Sequence, residues 1–235
     1  MDEINLSYFY KNRYLCNANS PTMNRNGHRH DPQNTDAVNP YYHGSSALFN
    51  RFDLAHVLTG ASKVKFGYGV YLTSSFKSAA HYSGANKEAT THYVYTVEIP
   101  EINEDNHIAF KQPVNPEIVR RAENKLGRSI PEKKTFDGKD FRKFLAKHFE
   151  EQLCLAPFGE NDKSTYQLQG EKLASEFLTS VGVDFITWPY SWKNPALGTN
   201  VCVQDENNLR IIKVEQVDLD AKQHFIAGSE KEVQI

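Results

Sequence analysis

The chain has 235 residues, of which 39% are hydrophobic and 24% charged, a balance typical of a globular protein. Its net charge of −2 excludes a global basic field that recruits nucleic acid, so any basic binding surface must be local. No segment approaches the roughly 18 apolar residues that span a bilayer, and residues 1–10 lack the basic start and apolar core of a secretory signal. We therefore expect a cytoplasmic protein without a membrane partner, and delivery into a target cell as an effector stays open.

The beginning of the chain is predicted to be an N-terminal arm or loop over residues 1–40. Residues 11–40 are rich in Asn, Pro, Arg and His and contain few recurring apolar residues. His28 and His30 have no third ligand nearby, so solvated histidines are favoured over a metal site. The three cysteines, Cys16, Cys154 and Cys202, are far apart and odd in number, which favours reduced thiols. No metal is expected.

The next stretch alternates short strands with helical patterns. Residues 67–69 break the pattern with two glycines, and Ser74 or Ser75 is a suitable helix cap. The patterns predict, in chain order, a strand at 41–43, a helix over 46–58, a strand at 70–73, a helix ending near 82 and a strand at 91–99.

Residues 101–165 are densely charged and are predicted to be a helical insertion within the domain. The second half of the chain is predicted to contain helices near 116–126, 137–152 and 170–181, followed by strands at 183–188, 200–204 and 209–216. The polar tail at 221–235 is expected to be disordered.

The fold class follows from the order of these elements. Regular βαβ alternation is absent, and no G-x-G-x-x-G follows a strand, so a Rossmann fold is disfavoured. Strands at both ends with helices between them predict a single α+β domain over 41–220. We expect two packed, mainly antiparallel sheets with flanking helices.

Two segments combine residues that suit the release of a cationic aromatic ring from a sugar. Residues 42–46 place a histidine, a glycine and hydroxyls at a strand end, and residues 67–73 carry Tyr71 on the next strand. Tyr82 follows eleven positions later on a helix. Aromatic rings can stack on a pyridinium ring, and a glycine lets the backbone approach a ligand.

The segments YYHGSS and FGYGVYLTSSFKSAAHYS resemble the NAD-binding core of the diphtheria-toxin-like, H-Y-E branch of ADP-ribosyltransferases. That branch includes poly(ADP-ribose) polymerases and many bacterial and phage toxins. The resemblance is good over 41–99, weaker over 183–217, and covers roughly half the chain. It implies an ADP-ribosyltransferase fold and NAD⁺ as co-substrate.

The resemblance also implies residue roles. His43 would bind ribose hydroxyls, the Gly44 backbone would hold the carboxamide, and Tyr71 and Tyr82 would stack on the two faces of nicotinamide. The implied NAD-binding residues are His43, Gly44, Ser45, Gly69, Tyr71, Ala79 and Tyr82.

The chain departs from the family at the glutamate that enters a late strand, because that position falls on Asn200. The implied catalytic residues are therefore His43, Tyr71 and Asn200, which favours transfer of one ADP-ribose to a nucleophile that needs little activation. NAD⁺ binding without turnover and a purely structural turn at Asn200 also stay open. So does a carboxylate elsewhere, with four candidates: Glu98, Glu171, Asp205 and Glu206.

The sequence says less about the molecule that would accept the ADP-ribose. By analogy with the family, the compact chain suits an intracellular toxin or phage-defence effector, with an antitoxin or immunity protein as partner. Trp188, Tyr190 and Trp192 precede the Asn200 strand and are candidates for acceptor recognition by stacking. Ordinary packing of these rings at the strand end is an equally supported alternative. Basic residues at 25–30, 63–65 and 139–147 suit phosphates.

An RNA or other nucleic-acid acceptor is therefore slightly favoured over protein. A protein-modifying enzyme and a non-catalytic NAD⁺ or ADP-ribose binding module remain alternatives. A phosphotransferase acting on RNA 2′-phosphate is disfavoured by the tyrosine pair.

Overall fold

A computed structural model describes residues 40–57, 64–131, 136–155 and 163–235. These residues fall within one compact unit, 39–235, which includes the predicted tail. The expected N-terminal arm, with Cys16, His28 and His30, lies outside the described residues, as does the side chain of Cys154. Cys202 is a free thiol in the interior.

The strands of the described chain form one sheet. Their bounds are β1 Tyr41–Ser45, β2 Val70–Thr73, β3 His92–Glu98, β4 His107–Ala109, β5 Phe185–Pro189, β6 Thr199–Val203, β7 Arg210–Val217 and β8 Lys231–Glu232. The strand order is β4-β5-β6-β2-β1-β3-β7-β8, with β4 parallel to β5 and the other pairs antiparallel.

The α+β class is thus confirmed, whereas the expectation of two separate packed sheets is wrong. β1 is paired with β3 at five positions but with β2 at one, Tyr42 opposite Thr73. That one pair joins the two halves into a single hydrogen-bonded sheet. Beyond it β1 and β2 separate, and this separation positions the site described below.

Four helices are described: α1 Phe76–Ser83, α2 Pro116–Leu126, α3 Gly138–Leu155 and α4 Lys163–Ser180. The Ser75 hydroxyl caps α1 by accepting from the Ser78 amide at 3.3 Å, and Asn115 caps α2 ahead of a proline at its first position. The helices predicted to end near 82 and to lie near 116–126, 137–152 and 170–181 are confirmed, although α4 begins earlier than its apolar spacing indicated.

The helix predicted over 46–58 is wrong for the described part of that range. Residues 46–53 form an irregular loop, followed by a one-turn 3-10 helix, Leu54–His56. Long-range partners take the backbone groups that a helix would use. The Tyr95 hydroxyl accepts from the Phe49 amide at 2.8 Å and donates to the Ala47 carbonyl, and Glu206 accepts from the Leu54 amide at 2.6 Å.

The helices of the predicted insertion share a core with α4 and are connected to the sheet through β4. Apolar residues of α2, α3 and α4 bury one another, among them Ile118, Phe141, Leu145 and Leu178. The short strand β4 was not predicted, and it extends the sheet by pairing with β5. The insertion is therefore continuous with the domain.

The tail is ordered, contrary to expectation. β8 pairs with β7, the ring of Phe225 lies 5.3 Å from that of Phe76, and the Gln223 side-chain amide donates to the Gly84 carbonyl at 2.7 Å. The tail thereby packs against α1. Of the helices described, none combines the length and apolar character needed to cross a membrane.

Candidate active site

A cavity of about 590 Å³ opens where β1 and β2 separate, within the usual range for small-molecule sites. Six of the seven predicted NAD-binding residues line it: His43, Gly44, Ser45, Gly69, Tyr71 and Tyr82. Residues of the 46–57 loop complete the wall. The sequence motifs therefore converge on one site although they come from two strands and a helix.

His43 is held as a neutral acceptor. Its Nδ1 donates to the Tyr71 carbonyl at 2.9 Å, in the gap where β1 and β2 no longer pair. The rings of Phe49, Phe52 and Tyr95 lie 5.2–6.2 Å from the imidazole. This burial lowers the pKa of His43 below its ordinary value of 6.5. With Nδ1 protonated, Nε2 is left as a hydrogen-bond acceptor.

Gly44 is required by the close approach of β1 to α1. A Cβ at Gly44 would lie 1.8 Å from the Ala79 carbonyl oxygen, a distance that no packed structure tolerates. Ala79 is itself 1% exposed and is not among the residues that line the cavity. The prediction that Ala79 contacts the ligand is therefore corrected: Ala79 is the small residue over which Gly44 packs.

Tyr71 lines the cavity with a fixed ring. Its hydroxyl donates to the Gly67 carbonyl at 2.9 Å and accepts from the Phe66 amide at 2.9 Å. The Trp188 ring meets it edge-on at 5.5 Å. Burial raises the pKa of Tyr71 well above its ordinary value of 10, so the phenol stays neutral. The hydroxyl and one edge of the Tyr71 ring are thus held in place.

Tyr82 contrasts with Tyr71, because 55% of it is exposed although it also lines the cavity. Partial burial and then the neighbouring Tyr190 raise the pKa of Tyr82. Among the described residues, its ring contacts His81 and not Tyr71. A large apolar ring left in solvent at a cavity wall is available for a ligand.

Asn200 lies on β6 and not in a turn. It is directly opposite Thr73 of β2 and Trp188 of β5, so it shares the Tyr71 face of the sheet. It is 6% exposed, and within the described chain its side-chain amide has no hydrogen-bond partner. It does not belong to the cavity lining. The amide is nevertheless not one of the fully buried polar groups left without a partner among the described residues, so its atoms keep some contact with solvent.

The four alternative carboxylates are all engaged elsewhere. Glu98 pairs with Arg210, and Glu171 with Arg142. Asp205 caps a short helical turn, and Glu206 holds the Leu54 amide. None of the four lines the cavity. All four are thus held in structural contacts.

The loop brings two charged residues to the cavity that sequence reasoning missed, Arg51 and Asp53. Arg51 is exposed and has no carboxylate partner among the described residues, and Asp53 accepts from the Ala55 amide at 2.8 Å. Their proximity to His43 in sequence was the available signal. The conformation of the loop that places Arg51 and Asp53 at the cavity wall depends on hydrogen bonds to Tyr95 and Glu206. It therefore cannot be predicted from the residues of the loop alone.

The three predicted acceptor residues separate into two groups. Trp188 is 9% exposed and stacks on Phe66 at 3.9 Å, so its ring is not free for an acceptor. Tyr190 and Trp192 are 45% and 46% exposed, and the Lys111 ammonium lies 4.5 Å from the Trp192 ring centre. An exposed aromatic patch therefore follows β5 near Tyr82.

The predicted basic surface on 139–147 is reduced by the fold. Arg142 is 2% exposed and pairs with Glu171 in the interior, while Lys147 pairs with Glu151 in solvent. The basic run at 25–30 and Lys63 lie outside the described residues.

The chain was compared with known proteins in three ways. It matches no protein-family model, no curated protein and no solved structure. The function is therefore inferred from the residues that line the cavity.

Proposed function

We propose that the chain is an NAD⁺-dependent mono-ADP-ribosyltransferase whose active site is the cavity at His43. The observation that carries the proposal is the convergence of His43, Gly44, Tyr71 and Tyr82 on one cavity wall. The resemblance to ADP-ribosyltransferases rests on the order of these residues in the sequence. That they also line one cavity is a separate observation that supports it.

Each residue has a property that suits its role. The neutral imidazole of His43 offers Nε2 as an acceptor for a ribose hydroxyl, and the backbone at Gly44 suits a carboxamide. Tyr71 and Tyr82 supply two aromatic surfaces whose rings do not contact each other. Two such surfaces suit the nicotinamide ring of NAD⁺, because aromatic rings stack favourably on a cationic pyridinium. The ring becomes neutral when nicotinamide is released.

The proposed reaction breaks the bond between the nicotinamide nitrogen and ribose C1′, and the electron pair leaves with nicotinamide. The acceptor donates an electron pair to C1′ and loses a proton to solvent. The ribose gains oxocarbenium character in between, which the amide oxygen of Asn200 is suited to steady as a neutral dipole. An acceptor that is already a good neutral nucleophile requires no carboxylate base.

Arg51 is proposed to bind the diphosphate of NAD⁺, because its guanidinium lies at the cavity wall and is paired with no carboxylate of the described residues. Arg51→Gln is expected to raise KM for NAD⁺ about tenfold, a loss of about 1.4 kcal/mol, with kcat nearly unchanged. Steady-state kinetics of nicotinamide release measure this. Lys87→Gln is the control, and an unchanged KM in Arg51→Gln would remove Arg51 from the site.

Binding of NAD⁺ is expected to depend on the protonation of His43. The pKa of this histidine is lowered by burial, so the imidazole is neutral above pH 6.5 and becomes charged at a pH below that value. Protonation removes the Nε2 acceptor, and it also favours the unfolded state, whose histidine binds the proton more readily. Affinity measured by calorimetry should be constant from pH 7 to 8 and should fall only at a pH below 6.5, the ordinary value from which the pKa is lowered.

His43→Gln keeps a hydrogen-bonding side chain but cannot titrate, so its weaker binding should be independent of pH in the same range. A pH dependence that persists in His43→Gln would assign the titration to another group and contradict the role of the imidazole.

The acceptor is proposed to be nucleic acid, RNA in particular. The segment from 185 to 204 contains Lys193 and no acidic residue, and Tyr190 and Trp192 are exposed beside Lys111. Exposed aromatic rings next to ammonium groups suit bases and phosphates together. An exocyclic amine of a base is a neutral nucleophile, consistent with a site that has Asn200 in place of a glutamate.

Incubation with labelled NAD⁺ and cell extract tests the acceptor class. Parallel digestion with nuclease and protease should release the label with nuclease alone. Label released by protease alone would make the chain a protein-modifying enzyme. Tight NAD⁺ binding without nicotinamide release would make it a binding module. The resemblance to toxins extends the proposal to an intracellular effector that an antitoxin or immunity protein controls.

A further inference from the structure

A buried ion pair connects α3 of the helical insertion to α4. Arg142 lies on α3 and is 2% exposed, and its guanidinium is paired with Glu171 of α4. Within the part of the chain that the structure describes, its Nε has no hydrogen-bond partner. Burying a charge in this way is expensive, and an apolar residue often serves stability equally well. Stability alone therefore gives little reason for an arginine at this position.

The contacts of Arg142 lead to Tyr71. Nη2 of Arg142 donates to the Lys65 carbonyl at 3.3 Å. Gly67, at φ 120°, lies beside Arg142: a Cβ added to it would be 3.4 Å from the Arg142 side chain, an ordinary contact distance, and 2.9 Å from that of Ile186. The 65–67 loop in turn holds the Tyr71 hydroxyl through the Phe66 amide and the Gly67 carbonyl. A continuous set of contacts thus runs from α4 to the ring that lines the cavity.

We propose that Arg142 is a positioning residue for Tyr71, through which the helical insertion sets the geometry of the nicotinamide pocket. Arg142 fixes the 65–67 loop, and the loop fixes the angle of the Tyr71 ring. This inference rests on the proposed function for its consequence in NAD⁺ binding, but the positioning itself is measurable without NAD⁺.

Arg142→Lys is the first test, because lysine keeps the charge beside Glu171 and lacks the planar fork that also reaches Lys65. Hydrogen exchange of the Phe66 amide, measured without NAD⁺, should accelerate about tenfold, as expected for the loss of roughly 1.4 kcal/mol. KM for NAD⁺ should rise about tenfold, with kcat changed far less. Hydrogen exchange of the buried amides of α3 should be unchanged. If Arg142 served only the general stability of the fold, exchange in α3 would accelerate as well.

The double variant Arg142→Met/Glu171→Leu is the second test, since replacing both partners avoids an uncompensated charge. It should accelerate exchange at Phe66 in the same way. Lys147→Met, on the same helix but in an exposed pair with Glu151, is the control and should change nothing.

The outcomes separate the two proposals. Unchanged Phe66 exchange in the folded variants would overturn the positioning role, whatever the wild-type protein does with NAD⁺. Accelerated exchange in a protein that does not bind NAD⁺ would support the positioning role and reject the proposed function.

Discussion

Tyr71→Ala should lower kcat/KM for NAD⁺ cleavage about 30-fold or more while the protein stays folded. A desolvated cation–aromatic contact contributes about 2 kcal/mol, which corresponds to that factor. The Tyr71 ring is fixed at two points: its hydroxyl hydrogen-bonds to the 65–67 loop, and its ring makes an edge contact with Trp188. Alanine removes the surface and also releases the 65–67 loop. Nicotinamide release measures the loss, and circular dichroism monitors the fold.

Tyr71→Phe separates the ring from its anchor. Phenylalanine keeps the aromatic surface and loses the two hydrogen bonds to the 65–67 loop, so its loss should be several times smaller. Tyr93→Ala, on β3 and outside the cavity lining, is the matched tyrosine control. Activity retained in Tyr71→Ala would refute the stacking role.

Asn200→Ala should reduce kcat for nicotinamide release about 100-fold, in the range observed when one preorganised dipole is removed from an active site. Its free energy of unfolding should change by less than about 1 kcal/mol, because the Asn200 amide has no hydrogen bond in the described protein to lose. Kinetics and chemical denaturation of the same preparation measure the two quantities.

Gln204→Ala is the matched control, as Gln204 follows the same strand and is equally buried. Its side chain donates to the Val183 carbonyl at 2.9 Å, so its loss should lower stability and leave kcat unchanged. Were Asn200→Ala to lose stability and retain activity, Asn200 would be a structural residue.

The elements nearest the site were predictable because local chemistry specifies them. β2 has the predicted bounds, since Val70 to Thr73 is β-branched or aromatic except for one leucine, and Ser75 caps α1 as its hydroxyl predicts. The clustering of His43, Tyr71 and Tyr82 followed from a motif and not from any local pattern. No propensity brings three separate segments to one cavity.

The failures have a common physical cause in long-range contacts. The loop after β1 has helical spacing, yet Tyr95 and Glu206 take its backbone groups. Arg51 reaches the cavity wall as a consequence. Trp188 is a candidate for acceptor stacking from the sequence, whereas its alternation with Ile186 on β5 is a signal that both side chains face the buried Cys202. A charge pattern likewise cannot show that Arg142 turns inward.

Nicotinamide release from NAD⁺ by the purified wild-type protein, with and without RNA, tests the central claim most directly. The account predicts release that RNA accelerates, that Tyr71→Ala and Asn200→Ala both suppress, and that Tyr93→Ala leaves intact. Release that persists at the wild-type rate in both site variants, or no release from a folded protein that also fails to bind NAD⁺, would contradict it.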